Sequence, residues 1–169
     1  MTSNSYLINT TRFILLILVQ VLVFNRLNFF GYINPMVYIL FLYWYPLTQN
    51  RSLFIFISFL LGLMVDIFSD TMAIHAASTV TLAYLRPTIM RFCFGVNFEL
   101  QNFKLTNTNR AQRITCLALM IVIHHFVFFN LEIFSYENVL LILKKVSSIS
   151  LATLIMSLLL GSLFSVKKE

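Results

Sequence analysis

Long apolar runs separated by short polar breaks dominate this chain, and their lengths predict helices that cross a bilayer. The first run extends from Phe13 to Phe24, and reaches Phe30 if Asn25, Arg26 and Asn28 lie toward an interface. Spanning takes about 20 residues. Gln20 is the one polar position inside its strongest part, and predicts a polar contact between packed helices. No small-residue cleavage signature follows, so the run reads as an uncleaved span and not a secretory leader.

Gly31 breaks the pattern, and Asn34-Pro35 opens a second helix, because asparagine caps well and proline is tolerated in a first turn. That helix ends in Tyr43, Trp44 and Tyr45, an interfacial aromatic pattern, and stops at Pro46. Between its prolines it covers roughly 17 Å, short of the roughly 30 Å hydrocarbon core. It therefore either continues past Pro46 or spans only in part. A third helix is predicted from Leu53 to about Phe68. A fourth runs from about Met72 to Leu85 and stops at Arg86-Pro87, since the residue before proline disfavours helical geometry. Its small residues, Ala73, Ala76, Ala77, Ser78 and Ala83, let backbones approach and predict a central place in the bundle.

Arg86 to Arg113 is the one sizeable polar segment. Within it Phe94, Val96, Phe98 and Leu100 alternate with polar or small residues, the period of a strand, which predicts a short hairpin at the membrane surface. Thr106 to Arg110 is the most loop-like tract. A fifth helix runs from about Ile114 to Leu131 and carries His124-His125. Neighbouring side chains on a helix point about 100° apart, so these imidazoles are expected to bond between helices and not to share a metal. A sixth helix covers roughly Ser147 to Phe164.

Composition sharpens this picture. Of 169 residues 59% are hydrophobic and 11% charged. A soluble domain of that length cannot hide so much apolar surface. The expectation is one all-α integral membrane domain over residues 1–169, a polytopic helical bundle of about six transmembrane helices. The net charge of +6 bears on topology and gives no case for nucleic acid. With six spans, Arg12, Arg51, Arg86, Arg91, Lys104, Arg110, Arg113, Lys167 and Lys168 share one side, and Arg26, Lys144 and Lys145 the other. Nine against three predicts both termini and the 86–113 loop in the cytoplasm. If the second helix only dips, the loop and C-terminus stay inside and the N-terminus moves out. Cys93 and Cys116 lack CxxC or metal-ligand spacing.

Ionisable groups gather in one stretch, Phe59 to Pro87, which holds Asp66, Asp70, His75 and Arg86. Such groups near a bilayer core need a partner, a wet cavity or an interface. If the third helix reached Asp70, the two aspartates would share a face and could pair with arginine or hold a cation. The plainer expectation is that both end the third helix at an interface, with Asp70 capping the fourth. His75, in that helix's first turn, is expected to hydrogen-bond an aspartate. There is no G-x-S-x-G, H-E-x-x-H or Walker sequence, and no nucleophile with an acid–base pair, so neither catalysis nor a cofactor is expected. Transport stays open because charges within membranes mark pathways, although no two matching broken helices are present.

Two stretches, GYINPMVYILFLYWYP (31–46) and FLLGLMVDIFSDTMAIHAASTVTLAYLRP (59–87), together resemble the bacterial rod shape-determining MreD family. The first carries the Asn34-Pro35 start, the aromatic span and Pro46. The second carries the Gly62-x-x-x-Asp66 corner, the Asp70-Thr71 pair, His75-Ala76-Ala77 and the closing Tyr84-Leu85-Arg86-Pro87. One departure is Ala73, where the pattern leads one to expect glycine. The resemblance implies a non-enzymatic inner-membrane subunit of the cell-elongation machinery. Its partners would be MreC and, directly or indirectly, MreB and the lateral-wall synthases. It marks Asn34, Pro35, Gly62, Asp66, Asp70, His75, Arg86 and Pro87 as structural or partner-facing. The family is also similar in fold to the membrane-embedded binding subunits of vitamin transporters, so a small-molecule-binding subunit is the alternative.

Overall fold

The computed structural model describes residues 3–27, 33–47, 50–96, 103, 105–134 and 138–164. Its helices are α1 (Ser3–Leu22), α2 (Ile39–Trp44), α3 (Arg51–Ser69), α4 (Ile74–Phe94), α5 (Arg110–Ile133) and α6 (Val139–Phe164), and no strand occurs among the described residues. The all-helical expectation therefore holds for them. Asn50 and Asn109 start α3 and α5 by accepting the amide hydrogens of Ser52 (3.0 Å) and Ala111 (3.1 Å), which relieves one of the unpaired donors at each helix start.

The long helices form a row in the order α1, α3, α4, α5, α6, and α2 packs against α1, α4 and α5. The core joins Tyr38 to Tyr43 with Leu61, Val65, Leu82, Met90, Met120 and Ile121. Outward faces carry Leu18, Phe56, Ile67, Phe126, Leu140, Leu151 and Ile155, all exposed, which suits a solvent of hydrocarbon.

Four helical segments are long and apolar enough to cross a membrane: Tyr6–Arg26, Arg51–Ser69, Arg110–Ile133 and Val139–Ser162. The six-residue α2 covers only about 9 Å and ends at Trp44, so the helix does not continue past Pro46. Its shortness is tolerated because neighbouring helices bury it and complete its backbone bonds. At 21 residues α4 is about 32 Å long, but its buried side carries His75, Ser78, Thr79 and Arg86.

Several predicted boundaries move. Helix α4 does not stop at Arg86-Pro87 but runs through Pro87 to Phe94. Proline forfeits one helical hydrogen bond. The burial of Ile89, Met90 and Phe94 beyond it outweighs that loss. The polar connection is correspondingly shorter than 86–113, since α5 begins at Arg110. Phe94 belongs to α4 and not to an extended segment, while residues 97–102 of the predicted hairpin, and Gly31, lie outside the described residues. Helix α6 starts at Val139, ahead of the predicted Ser147, because Lys145 finds Glu132 of α5 at 2.9 Å and so fits inside the helix.

Candidate functional site

The corner between α3 and α4 is built on one carboxylate. Asp66 is buried, and its Oδ1 and Oδ2 accept the amide hydrogens of His75 (3.0 Å) and Ala76 (2.8 Å), while the Thr71 hydroxyl also donates to Oδ1. Those amides are the first donors of α4, which no preceding turn can satisfy. Asp66 thus caps α4 from the neighbouring helix. The expectation that Asp70 would do so fails: Asp70 is exposed, ends α3 in the left-handed region (φ 55°), and makes no such cap. That backbone conformation turns the chain before α4 begins.

Gly62 permits this geometry. A Cβ there would lie 2.5 Å from Ala76 Cα and 2.6 Å from Ala76 N, so the first turn of α4 rests directly on glycine. One turn further along α3, Asp66 then comes within reach of the amides. Ala73, the departure from the family pattern, takes φ 59° at the head of α4. That conformation costs an L-residue about 1 kcal/mol. Ala73→Gly is expected to stabilise the protein by about that amount, less the extra chain entropy of glycine, visible as a higher unfolding temperature of the purified protein.

His75 does not pair with an aspartate through its ring, as the sequence suggested; only its amide does. The ring lies against α2, where Nδ1 bonds the Tyr38 hydroxyl at 2.7 Å, and the same hydroxyl bonds His124 Nε2 at 2.9 Å. One phenol thereby joins α2, α4 and α5. His125 faces α6: its Nδ1–H donates to the Ile121 carbonyl (2.8 Å), which leaves Nε2 to accept from the Thr153 hydroxyl (3.3 Å). Thr153 in turn accepts the amide hydrogen of Met36 (3.1 Å). The two adjacent histidines thus serve different helices. Among the described residues no group of three or more His, Cys, Asp or Glu side chains could hold a metal ion.

Asn34-Pro35 does not open α2, which starts at Ile39 with no side-chain cap. The extended residues before it are held from outside instead. Gln20 donates to the Pro35 carbonyl (3.1 Å) and to Asn25 Oδ1 (2.9 Å), and accepts the amide hydrogen of Val37 (2.8 Å). Asn25 then donates to Ser69 at the end of α3 (2.7 Å). Gln20 and Tyr38 complete the site, and they differ in how far the sequence marks them. Gln20 was signalled, as a lone amide within an apolar run; one tyrosine among seven was not.

Arg86 works far from Asp66, since the eleven residues from His75 to Arg86 cover about 16 Å of helix. It is buried without a carboxylate partner among the described residues. Its Nη2 donates to the Tyr43 carbonyl at 3.1 Å and to the Tyr45 carbonyl, and the guanidinium lies 4.8 Å from the Phe54 ring centroid. A cation on the last carbonyls of α2 both pairs them and opposes the helix dipole. Pro87, next to it, lies within α4 as described above. Arg86→Met is expected to cost about 2–4 kcal/mol by leaving those carbonyls unpaired, measured as lost thermal stability in detergent.

At the Asp66 end of the bundle an open cavity of about 620 Å³ is lined by Gln20, Asn25, Arg26, Asn34, Met36, Ser69, Thr71, His75, Glu132 and Lys145 together with apolar side chains. The arrangement offers two things: a rigid multi-helix junction on Asp66, Tyr38 and Arg86, and a polar chamber beside it. Compared with known proteins, the chain matches no family model, no curated protein and no solved structure.

Proposed function

We propose that this chain is an MreD-type subunit of the bacterial cell-elongation machinery. It would be a non-enzymatic, multi-pass protein of the inner membrane that acts with MreC in lateral-wall peptidoglycan synthesis. One observation supports the reading above others: residues that carry the resemblance in two separate stretches touch one another. Gly62, Asp66, Thr71, His75 and Ala76 make one corner. From there His75 reaches Tyr38, and Arg86 reaches Tyr43 and Tyr45, all within the other stretch. A motif kept for assembly needs such mutual contact; a chance likeness in two apolar stretches does not.

On this reading the C-terminus and the connection before α5 face the cytoplasm, as the lysine and arginine distribution favours. The finer count of six spans has α4 cross at the centre of the row and the α2 segment cross with it; with α2 only dipping, five helices cross and the N-terminus lies outside. The membrane helix of MreC docks on the assembled bundle, and the described corner fixes the shape it meets. The test is co-purification of MreC with the tagged chain from the host membrane. Recovery of MreC with wild type, and its loss with Asp66→Ala at matched protein level, supports the role. Equal recovery with both removes the corner from it.

The second reading, a small-molecule-binding subunit of a transporter, draws on the 620 Å³ cavity, a size common for ligand sites. It expects uptake of a solute, and not cell shape, to fail when the chain is removed.

A further inference from the structure

Most of the polar side chains around the cavity are already committed. Gln20 uses both of its amide atoms on Asn25, Pro35 and Val37, Asn25 continues to Ser69, and Thr71 serves Asp66. What remains defines a complement. Asn34 lines the cavity, and its Oδ1, which lies just beneath the wall, has no hydrogen-bond partner among the described residues. An acceptor in that state calls for a donor. At the mouth stand one carboxylate, Glu132, and two cations, Arg26 and Lys145, with Glu132 and Lys145 already in contact at 2.9 Å.

His75 supplies the last group. The Tyr38 hydroxyl has one hydrogen for two imidazoles, so one ring accepts and the other donates. His124 Nδ1 is buried and has no partner among the described residues. A bare acceptor is tolerated there better than a bare N–H. His124 therefore carries its hydrogen on Nε2 and donates to Tyr38, and Tyr38 donates to His75 Nδ1. The hydrogen of His75 then sits on Nε2, the remaining ring nitrogen of a side chain that lines the cavity.

We propose that this cavity binds a small zwitterion carrying a primary ammonium and a phosphate a few atoms apart, the chemistry of an aminophospholipid headgroup or of free phosphoethanolamine. The ammonium donates to Glu132 and, with the Asn34 side chain turned toward the cavity, to its Oδ1. The phosphate takes Arg26, Lys145 and the His75 N–H. Entry from the bilayer is favoured because α1 and α6, the two ends of the helix row, both contribute to walls that α3, α4 and α5 complete, with apolar Val21, Leu22 and Ile149 among them. This site does not depend on the role in elongation.

The test uses the full chain in nanodiscs of phosphatidylcholine doped with phosphatidylethanolamine, with bound lipid counted by native mass spectrometry. Free phosphoethanolamine is titrated separately against thermal stability in detergent. One retained phosphatidylethanolamine, at least tenfold preferred over phosphatidylcholine, is expected, since a quaternary ammonium has no hydrogen to donate. Glu132→Gln, a substitution at an exposed side chain, and Asn34→Leu should each remove most of that preference. Stabilisation by free phosphoethanolamine with no lipid preference would keep the site and assign it a soluble ligand. Equal retention of both lipids with no response to phosphoethanolamine would overturn the proposal, as would a preference that neither variant changes while both unfold like wild type.

Discussion

Asp66→Ala is expected to be the most damaging single substitution in the chain. It leaves two buried helix-starting amides without their acceptor, and also frees the half-buried Thr71 hydroxyl. Each orphaned donor costs about 1–3 kcal/mol, and neighbouring losses overlap, so the expected total is about 3–5 kcal/mol. That is a large part of the roughly 5–15 kcal/mol by which folded proteins are stable. Thermal unfolding of the purified protein, followed by circular dichroism in detergent, reads it directly. Asp66→Asn should fall between, since its amide keeps one acceptor oxygen and turns an NH₂ toward a backbone donor. An unfolding temperature for Asp66→Ala within a degree of wild type would mean that the corner does not organise the bundle.

Gly62→Ala strains the same corner through packing. The added carbon meets backbone atoms of Ala76 at 2.5 and 2.6 Å, and backbone cannot swing aside as a side-chain tip can. Overpacking of that kind costs about 1–3 kcal/mol, and the only relief is to push α4 away from α3. That movement also lengthens the bonds from Asp66 to the His75 and Ala76 amides. The two substitutions should therefore be less than additive: the double variant Gly62→Ala/Asp66→Ala is expected to lose at least about 0.5 kcal/mol less than the sum of the singles. Strict additivity would show that packing and capping at this corner are independent.

The helices were legible in the sequence because hydrophobic length and polar breaks report directly on which segments can be covered by lipid or by one another. Their ends were less so. Pro87 carries a local rule that favours stopping, and the buried Ile89, Met90 and Phe94 beyond it override that rule through contacts with distant residues. Lys144 and Lys145 looked like a boundary, yet Lys145 is accommodated by Glu132, thirteen positions earlier on another helix.

The same division runs through the site. Gly62, Asp66, His75 and Arg86 stood out because charge and glycine are rare in an apolar chain. Their partners did not, since those of Asp66 and Arg86 are largely backbone amides and carbonyls, which have no letter in the sequence. Asp70 seemed the better cap by position. Only the left-handed turn at Asp70 and Ala73 shows why the carboxylate one helical turn earlier takes the role. His124 and His125 were readable as interhelical groups from their 100° offset, but that Tyr38 bridges His124 to His75 required the fold.

Cell width after depletion of this chain in its own host tests the central proposal most directly, because shape integrates the whole elongation machinery. Swelling or rounding, reversed by wild type and not by Asp66→Ala, is the expected result. Unchanged width with a new nutrient requirement would contradict the elongation role and favour the binding-subunit reading.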